Sequence, residues 1–545
     1  MTALTRRIYP IRVKCEYGEN WFVPNDVCQS LFTEEELQQI RNNCRDINVD
    51  RLTKVIATIL FDGEPDTRVL QSLHTANFTD QDLPVRFDLE ELALKSLKGD
   101  RGFSASFECA YKFVETQWLF CAPSFGPGIE HQELEARCPL PIIECHPPKT
   151  GAFGEVRQVK LHHAHLVLTP QGASPIQVPS FPDASVPADE DNPDLALKKL
   201  TSDAPKDYER ERNALEKIQR LNHPHLINVI ASFRRGQDYF FLFPWASRGD
   251  LESWWRSDAK EEQRTPEMIR WILGQMKGII SAIKTLHYPR GMEAENENGR
   301  HGDLKPKNIL LFDDHLENNP RGRLIISDAG LAKFHNQVTS RRVAGTSTMG
   351  GTQEYGPPDL RRGKGDGYKL SRRYDMWSLG CVFLEFIVWV LGGYDEVEKF
   401  RNSRKSSESR SGEFYWKTRS RYKVQREVKQ WMKAISRDKR CRRRNWFQDL
   451  LKIIEKDLLQ VNNDQRITSK DLEIRFNKIV ENAQDSDSYV CGPDAERGFH
   501  PQSIVRESSR TKQLLNPLLA KKRWPAWLAK RRSVVKKRWL AKKRR

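Results

Sequence analysis

Several features that would fix a protein's class at once are missing from this sequence. Its 10 cysteines among 545 residues include no Cys-x-x-Cys spacing, and reduced, mostly buried thiols are expected rather than a disulfide framework. No apolar block follows Met1-Thr2-Ala3-Leu4-Thr5-Arg6-Arg7, which argues against a signal peptide and for a cytoplasmic or nuclear protein. The longest apolar stretch, Leu379 to Leu391, is interrupted by Glu385 and falls short of the roughly 20 residues that a membrane span needs. It is expected to be a buried core helix. Acid is absent from the last 36 residues, which hold 15 of the lysines and arginines and leave about +2 of the net +17 for everything else. The end of the chain, not its body, is basic. The histidines at 146, 162, 163 and 165, near Cys145, follow no recognised zinc spacing, and they read as ordinary loop and strand residues.

What is present is ordinary folded protein, with 38% hydrophobic and 30% charged residues, and the length calls for two or three folded units. Residues 1–140 read as a mostly helical leader. Thr33-Glu34-Glu35-Glu36 has the form of a capping box, and Leu52, Val55, Ile56, Ile59 and Leu60 recur at helical spacing. Residues 141–482 form the body: short strands first, among them Tyr239-Phe240-Phe241-Leu242-Phe243, then long helical patterns from Thr265 and Tyr374. That order is α+β, a small sheet lobe followed by a larger helical one. Two polar excursions interrupt it, near 165–194 and 396–425, the second centred on the Ser-rich, charged run Arg401 to Gly412. Residues 483–545 are expected to be a disordered linker and a basic tail.

The segment His301-Gly302-Asp303-Leu304-Lys305-Pro306-Lys307-Asn308, followed by the apolar Ile309-Leu310-Leu311, gathers a carboxylate, an ammonium and an amide within six residues. It resembles the catalytic loop of eukaryotic-type protein kinases, H-x-D-x-K-x-x-N. Other matches follow in the family's order. Asp328-Ala329-Gly330 stands where the magnesium-binding D-F-G lies, and Thr150-Gly151-Ala152-Phe153-Gly154-Glu155-Val156 resembles the glycine-rich hairpin over the ATP phosphates. Leu195-Ala196-Leu197-Lys198 matches V-A-I-K, and Phe243-Pro244-Trp245-Ala246 occupies the hinge that receives adenine. Gly351 to Asp359 resembles the end of an activation segment, Asp375-Met376-Trp377-Ser378-Leu379-Gly380 the start of the buried central helix, and Arg466 the arginine that pairs with Asp359.

The resemblance implies a two-lobed protein-kinase-like fold behind the helical leader, with ATP and Mg²⁺ as cofactors and proteins as substrates. Asp303 would be the catalytic base, Lys305 the cation facing the γ-phosphate, and Asn308 and Asp328 the metal ligands. Gly151, Phe153, Gly154 and Val156 would cover the nucleotide, and Lys198, with Lys199 as its solvent-facing neighbour, would meet the α- and β-phosphates. For the carboxylate partner of Lys198, usual spacing lands on Ala214. Glu211 is preferred to Glu216, because Tyr208, Leu215 and Ile218 flank it on one helical face. The form Asp303-Leu304-Lys305-Pro306 is that of serine/threonine kinases. At finer resolution, Gln117 to Pro123 and Phe241 to Trp245 resemble an expanded group of kinase-like proteins of filamentous fungi.

Three positions depart from the family. Lys149 replaces the first glycine of the hairpin, Gly302 the arginine of H-R-D, and Ala329 the phenylalanine of D-F-G. Without that arginine, activity is expected not to depend on phosphorylation of Thr339, Ser340, Thr346, Ser347 or Thr348. Ala329 leaves open an alternative, a weakly catalytic scaffold that binds nucleotide and partners. The tail repeats lysines and arginines around Trp524, Trp527 and Trp539 and carries Ser533, a candidate phosphosite, after Lys530-Arg531-Arg532. Its chemistry suits an import receptor first, and also an anionic membrane, a calmodulin-like protein or nucleic acid.

Overall fold

In a computed structural model of the protein, residues 3–43, 48–61, 78–85, 107–126, 131–151, 154–167, 192–200, 205–257, 263–289, 297–314, 319–328, 333–336, 353–361, 371–405, 412–419, 421–441, 445–492 and 499–504 are described. Within the first excursion, the Pro-rich and acidic run from Thr169 to Pro193 reads as a surface loop. Of it, only residues 192 and 193 are described, and Phe153, Ala329, the five hydroxyl residues from Thr339 to Thr348, and the tail with Ser533 lie outside the described residues.

Strand-forming residues between 132 and 244 build one sheet. Its strands are β1 (Gln132–Leu134), β2 (Ile142–Cys145), β3 (Lys149–Gly151), β4 (Gly154–Leu161), β5 (Asp194–Leu200), β6 (Ala231–Arg235) and β7 (Asp238–Pro244). They run in the order β1-β6-β7-β5-β4-β2, with β3 hairpinned onto β4. Every pairing is antiparallel except β1 on β6. The unbroken apolar run of β7 is explained by cover on both faces. Tyr239 and Phe241 pack with Tyr208, Leu215 and Ile218 of helix α1 (Pro205–Arg220), whereas Phe240 and Leu242 pack with Cys15, Phe22, Phe125 and Leu140. The period-2 geometry of a strand sends alternate side chains to opposite faces, and each buried Phe or Leu contributes about 1.5–3 kcal/mol.

Residues read from sequence as a leader therefore share the core of the small lobe and lend the sheet its edge strand β1. The leader's described part is otherwise largely helical, with helices Ala3–Ile11, Glu34–Asn43, Thr53–Phe61 and Phe107–Thr116. The capping box forms: the Thr33 amide donates to Glu36 Oε2 at 2.9 Å, and the Glu36 amide donates to Thr33 Oγ1 at 3.3 Å.

The larger lobe is built around helices α2 (Pro266–His287), α3 (Arg373–Gly392) and α4 (Ser469–Asp485). Every residue of α3 from Tyr374 to Leu391 is buried, so a helix apolar enough to cross a membrane by length and composition is here the centre of the core. A carboxylate in such a helix needs cations. Glu385 finds Arg401 at 2.8 Å and Arg404 at 3.0 Å, and accepts the Tyr355 hydroxyl at 2.9 Å. This explains a difference from the sequence reading. Composition marks Arg401 to Gly412 as a flexible insertion in the helical lobe, yet Arg401 and Arg404 end a helix, Tyr394–Arg404, and turn inward to the Glu385 charge.

The packed body also runs past residue 482. Trp446 donates its indole N–H to the Val490 carbonyl, Phe499 pairs with Arg264, and the Ile504 amide donates to the buried Glu396. Helix α4 ends only at Asp485, and a short helix, Asp487–Cys491, follows with Tyr489, Val490 and Cys491 buried, so the linker expected from residue 483 begins with packed structure.

Candidate active site

Strand β5 carries Lys198 to Glu211 and Asp328. Its pairing with β4 sets Val156 opposite Lys198, and its pairing with β7 sets Ala196 opposite Phe243 and Leu195 opposite Pro244. The hairpin, the lysine and the hinge are thus fixed by one stretch of ladder. Gly154 is required there for a reason beyond nucleotide access. A Cβ on it would lie 2.4 Å from the Lys199 carbonyl oxygen of the neighbouring strand, so the sheet itself must spread to admit one. Gly154→Ala is expected to destabilise the protein by about 1–3 kcal/mol, as forced overpacking does, measured by urea unfolding. At the hairpin's start, the Lys149 ammonium lies 5.3 Å from the Trp245 ring centroid, a cation–π contact joining the β3 strand to the hinge.

Helix α1 brings Glu211 to the other side of Lys198. Both are buried, and Lys198 Nζ donates to Glu211 Oε1 at 2.5 Å and approaches Asp328 Oδ1 at 3.4 Å. Burial pulls the lysine's pKa down, but the Asp328 and Glu211 carboxylates outweigh it and hold the ammonium well above its ordinary value. Burial likewise pushes Asp328 up, and Lys198, His301 and Lys305 together bring it below the usual aspartate value. Each ion stays charged because the other is there. Asp328 has φ +62°, a left-handed conformation that aspartate tolerates better than most side chains.

The loop from His301 to Asn308 leads into β8 (Ile309–Asp314), which pairs with β9 (Asn319–Ile326). Asp303 is buried, with Lys305 Nζ 2.7 Å from its Oδ2. Asn308 Nδ2 donates to the Asp303 carbonyl at 2.8 Å and to Oδ2 at 3.0 Å. His301 ties this loop to the residue before Asp328. Its Nδ1 accepts the Asp303 amide at 3.3 Å, leaving Nε2–H to donate to the Ser327 carbonyl at 2.9 Å.

Beneath the loop lies Asp375, the first residue of the Asp-x-Trp-Ser-x-Gly motif. Its Oδ2 accepts the His301 amide and its Oδ1 the Gly302 amide, both at 2.9 Å, and His287 Nε2 sits 2.9 Å from Oδ2. Gly302 has φ +83°, a conformation glycine adopts without the Cβ penalty, so its N–H can turn down to Asp375. Burial raises the Asp375 carboxyl, but the His287 hydrogen bond, the nearby imidazoles and the Gly302 amide outweigh it and leave it below the ordinary value. Arg466 holds Asp359 with a two-pronged bond, 2.6 and 3.1 Å.

Lys198, Glu211 and Asp328 thus converge in one group, and Asp303, Lys305 and Asn308 in a second, the two tied through His301 and Ser327. Gly151, Gly154 and Val156 lie in the β3–β4 hairpin above, and Phe243, Pro244, Trp245 and Ala246 at the end of β7 and just beyond it. Sequence reasoning did not assign Asp375, His287 or Ser327 a part. For Asp375 the signal was its motif at the start of the buried central helix, which placed the residue without giving it a part in the site. The residues fit a magnesium ion, which takes oxygen donors and needs only one or two protein ligands beside phosphates and water. Among the described residues no cluster of three or more His, Cys, Asp or Glu side chains is arranged for a metal held by protein alone.

Comparison with known proteins bears on the same segments. The family model of the protein kinase domain matches residues 185–475, more than half of the chain. Among curated relatives, a RAC family serine/threonine-protein kinase homolog of Dictyostelium discoideum is 28% identical over 186 residues, 34% of this chain and 35% of the relative. The serine/threonine-protein kinase RAD53 of Saccharomyces cerevisiae is 31% identical over 178 residues, 31% of this chain and 19% of the relative. The cAMP-dependent protein kinase catalytic subunit of Dictyostelium discoideum is 26% identical over 179 residues, 33% of this chain and 23% of the relative. The chain therefore spans about a third or less of the length of these relatives.

Proposed function

The chain belongs to the protein kinase family, and from that premise we propose that it transfers the γ-phosphoryl group of ATP to serine and threonine hydroxyls of proteins. The observation that carries this reading is the pairing of Lys198 with Glu211 and Asp328 beside the Asp303–Lys305–Asn308 cluster, the two joined through His301 and Ser327. The serine/threonine preference rests on the Asp303-Leu304-Lys305-Pro306 form of the loop and on the names of the relatives.

Each side chain has a part that its surroundings permit. Lys198, kept charged by its two carboxylates, binds the α- and β-phosphates. Asp303 accepts the proton of the attacking hydroxyl and points its oxygen at the γ-phosphorus. As that oxygen bonds to phosphorus, the bond from phosphorus to the β,γ-bridging oxygen breaks, and ADP leaves with the electron pair. Lys305, 2.7 Å from Asp303, sits where it can balance charge on the transferring group. Asn308 and Asp328 would hold magnesium, which neutralises the triphosphate when bound. The Asp375 seat under His301 and Gly302 keeps the loop's backbone from shifting as charge moves through it.

The test is to incubate the purified full-length protein with γ-labelled ATP and a serine/threonine peptide library, beside Asp303→Asn. Label on the library from the wild type alone supports the reading. Nucleotide binding without transfer by the wild type would instead support a scaffold.

A further inference from the structure

Helix α1 must hold Glu211 in place for Lys198 to be paired, and it is gripped one turn earlier by a residue from outside the sheet lobe's central strands. Tyr208 lies three residues before Glu211 on the same helical face. Its ring stacks on Tyr239 at 4.4 Å and on Phe241 at 5.2 Å between centroids, both planes within 24°. Its hydroxyl is 2.6 Å from Nδ1 of His131, the residue that enters edge strand β1. His131 is itself fixed. Nε2 is 3.0 Å from Glu133 Oε1. Glu133 is in turn 3.6 Å from Arg234, which lies over the Tyr239 ring. With Nε2–H donating to Glu133, Nδ1 accepts the Tyr208 O–H, and the nearby Ser232 carbonyl, itself an acceptor, is a neighbour of that nitrogen and not its hydrogen-bond partner. Burial pushes the tyrosine's pKa up to about 12, so the phenol keeps that proton across the neutral range.

A helix is stiff over one turn, and three residues rise only about 4.5 Å along its axis. Fixing Tyr208 therefore limits how far Glu211 can swing. We propose that His131 is a positioning residue for phosphoryl transfer, through which the N-terminal segment clamps α1 by way of Tyr208 and holds Glu211 against Lys198. The idea rests on the kinase reading for its effect on turnover, but the clamp itself can be tested without it.

The full-length protein and its His131→Phe, Tyr208→Phe and double variants would be compared by two measurements. Hydrogen exchange of the α1 amides reads local opening of the helix, and steady-state phosphorylation of a peptide found in the library screen reads kcat and KM. Loss of one well-placed hydrogen bond is expected to speed exchange across 205–220 about 5- to 10-fold. A similar fall in kcat is expected, with the peptide KM unchanged. The double variant should be no worse than the more damaging single one, because each single change already breaks the shared Tyr208–His131 bond. Exchange and kcat within about twofold of wild type in both single variants would overturn the proposal, as would single effects that multiply in the double variant. If the wild type transfers no phosphate, the kinase reading fails, and α1 exchange in the variants alone decides whether the clamp exists.

Discussion

Asp303→Asn is expected to lower kcat about 10³-fold while leaving the KM for ATP within about threefold, the size of effect seen when a positioned general base is lost. The substitution keeps the side chain's volume, and the remaining carbonyl oxygen can still accept from Lys305 Nζ, now 2.7 Å from Oδ2. The fold and the nucleotide cleft should survive, which thermal unfolding can verify. What disappears is the acceptor for the hydroxyl proton. Steady-state phosphorylation of a peptide substrate checks the split. A variant with raised KM and unchanged kcat would mean that Asp303 serves binding and not chemistry.

The second large effect is structural and falls on the same loop. In Asp375→Ala the amides of His301 and Gly302 and the His287 ring lose a buried acceptor. At about 1–3 kcal/mol for each stranded donor, with partial relaxation, the loss is expected to be roughly 4 kcal/mol, near 10³-fold in the unfolding equilibrium. Activity at a temperature where the variant is still folded should also drop, because Asp303 hangs on the amides that Asp375 holds.

The pH dependence carries a sign. The folded carboxyl titrates below its ordinary value of 3.8, so it binds protons less readily folded than unfolded. Its contribution is complete above that value and is lost as pH falls through the lower folded one. The stability gap between wild type and Asp375→Asn, followed by urea unfolding, should therefore be constant near neutrality and narrow below about pH 4.

Local chemistry made the site legible. Lys198, Asp303, Asn308 and Asp328 stand in short motifs whose spacing is fixed by loop and strand geometry, and Glu211 followed from the apolar face of its helix. The buried helix around Glu385 was legible as a core element because its apolar run has no polar face. Its partners were not, since Arg401 and Arg404 sit in a stretch whose composition reads as a flexible insertion and only the packed lobe shows which charge they answer. Long-range partnerships were hidden for the same reason. Nothing near His131 announces Tyr208, 77 residues away, and nothing near Phe22 or Phe125 announces that they cover the outer face of β7. Periodicity reports that a residue is buried and leaves open what buries it.

The claim on which the rest depends is that Lys198, Asp303, Asn308 and Asp328 surround one site for a magnesium-bound nucleotide. Titration calorimetry of the full-length protein with ATP, with and without Mg²⁺, tests it directly. Binding heat that is strong with the metal, weak without it, and sharply reduced in Asp328→Asn is the result this account predicts. A wild-type protein that is folded and yet takes up no nucleotide in the presence of Mg²⁺ would contradict it.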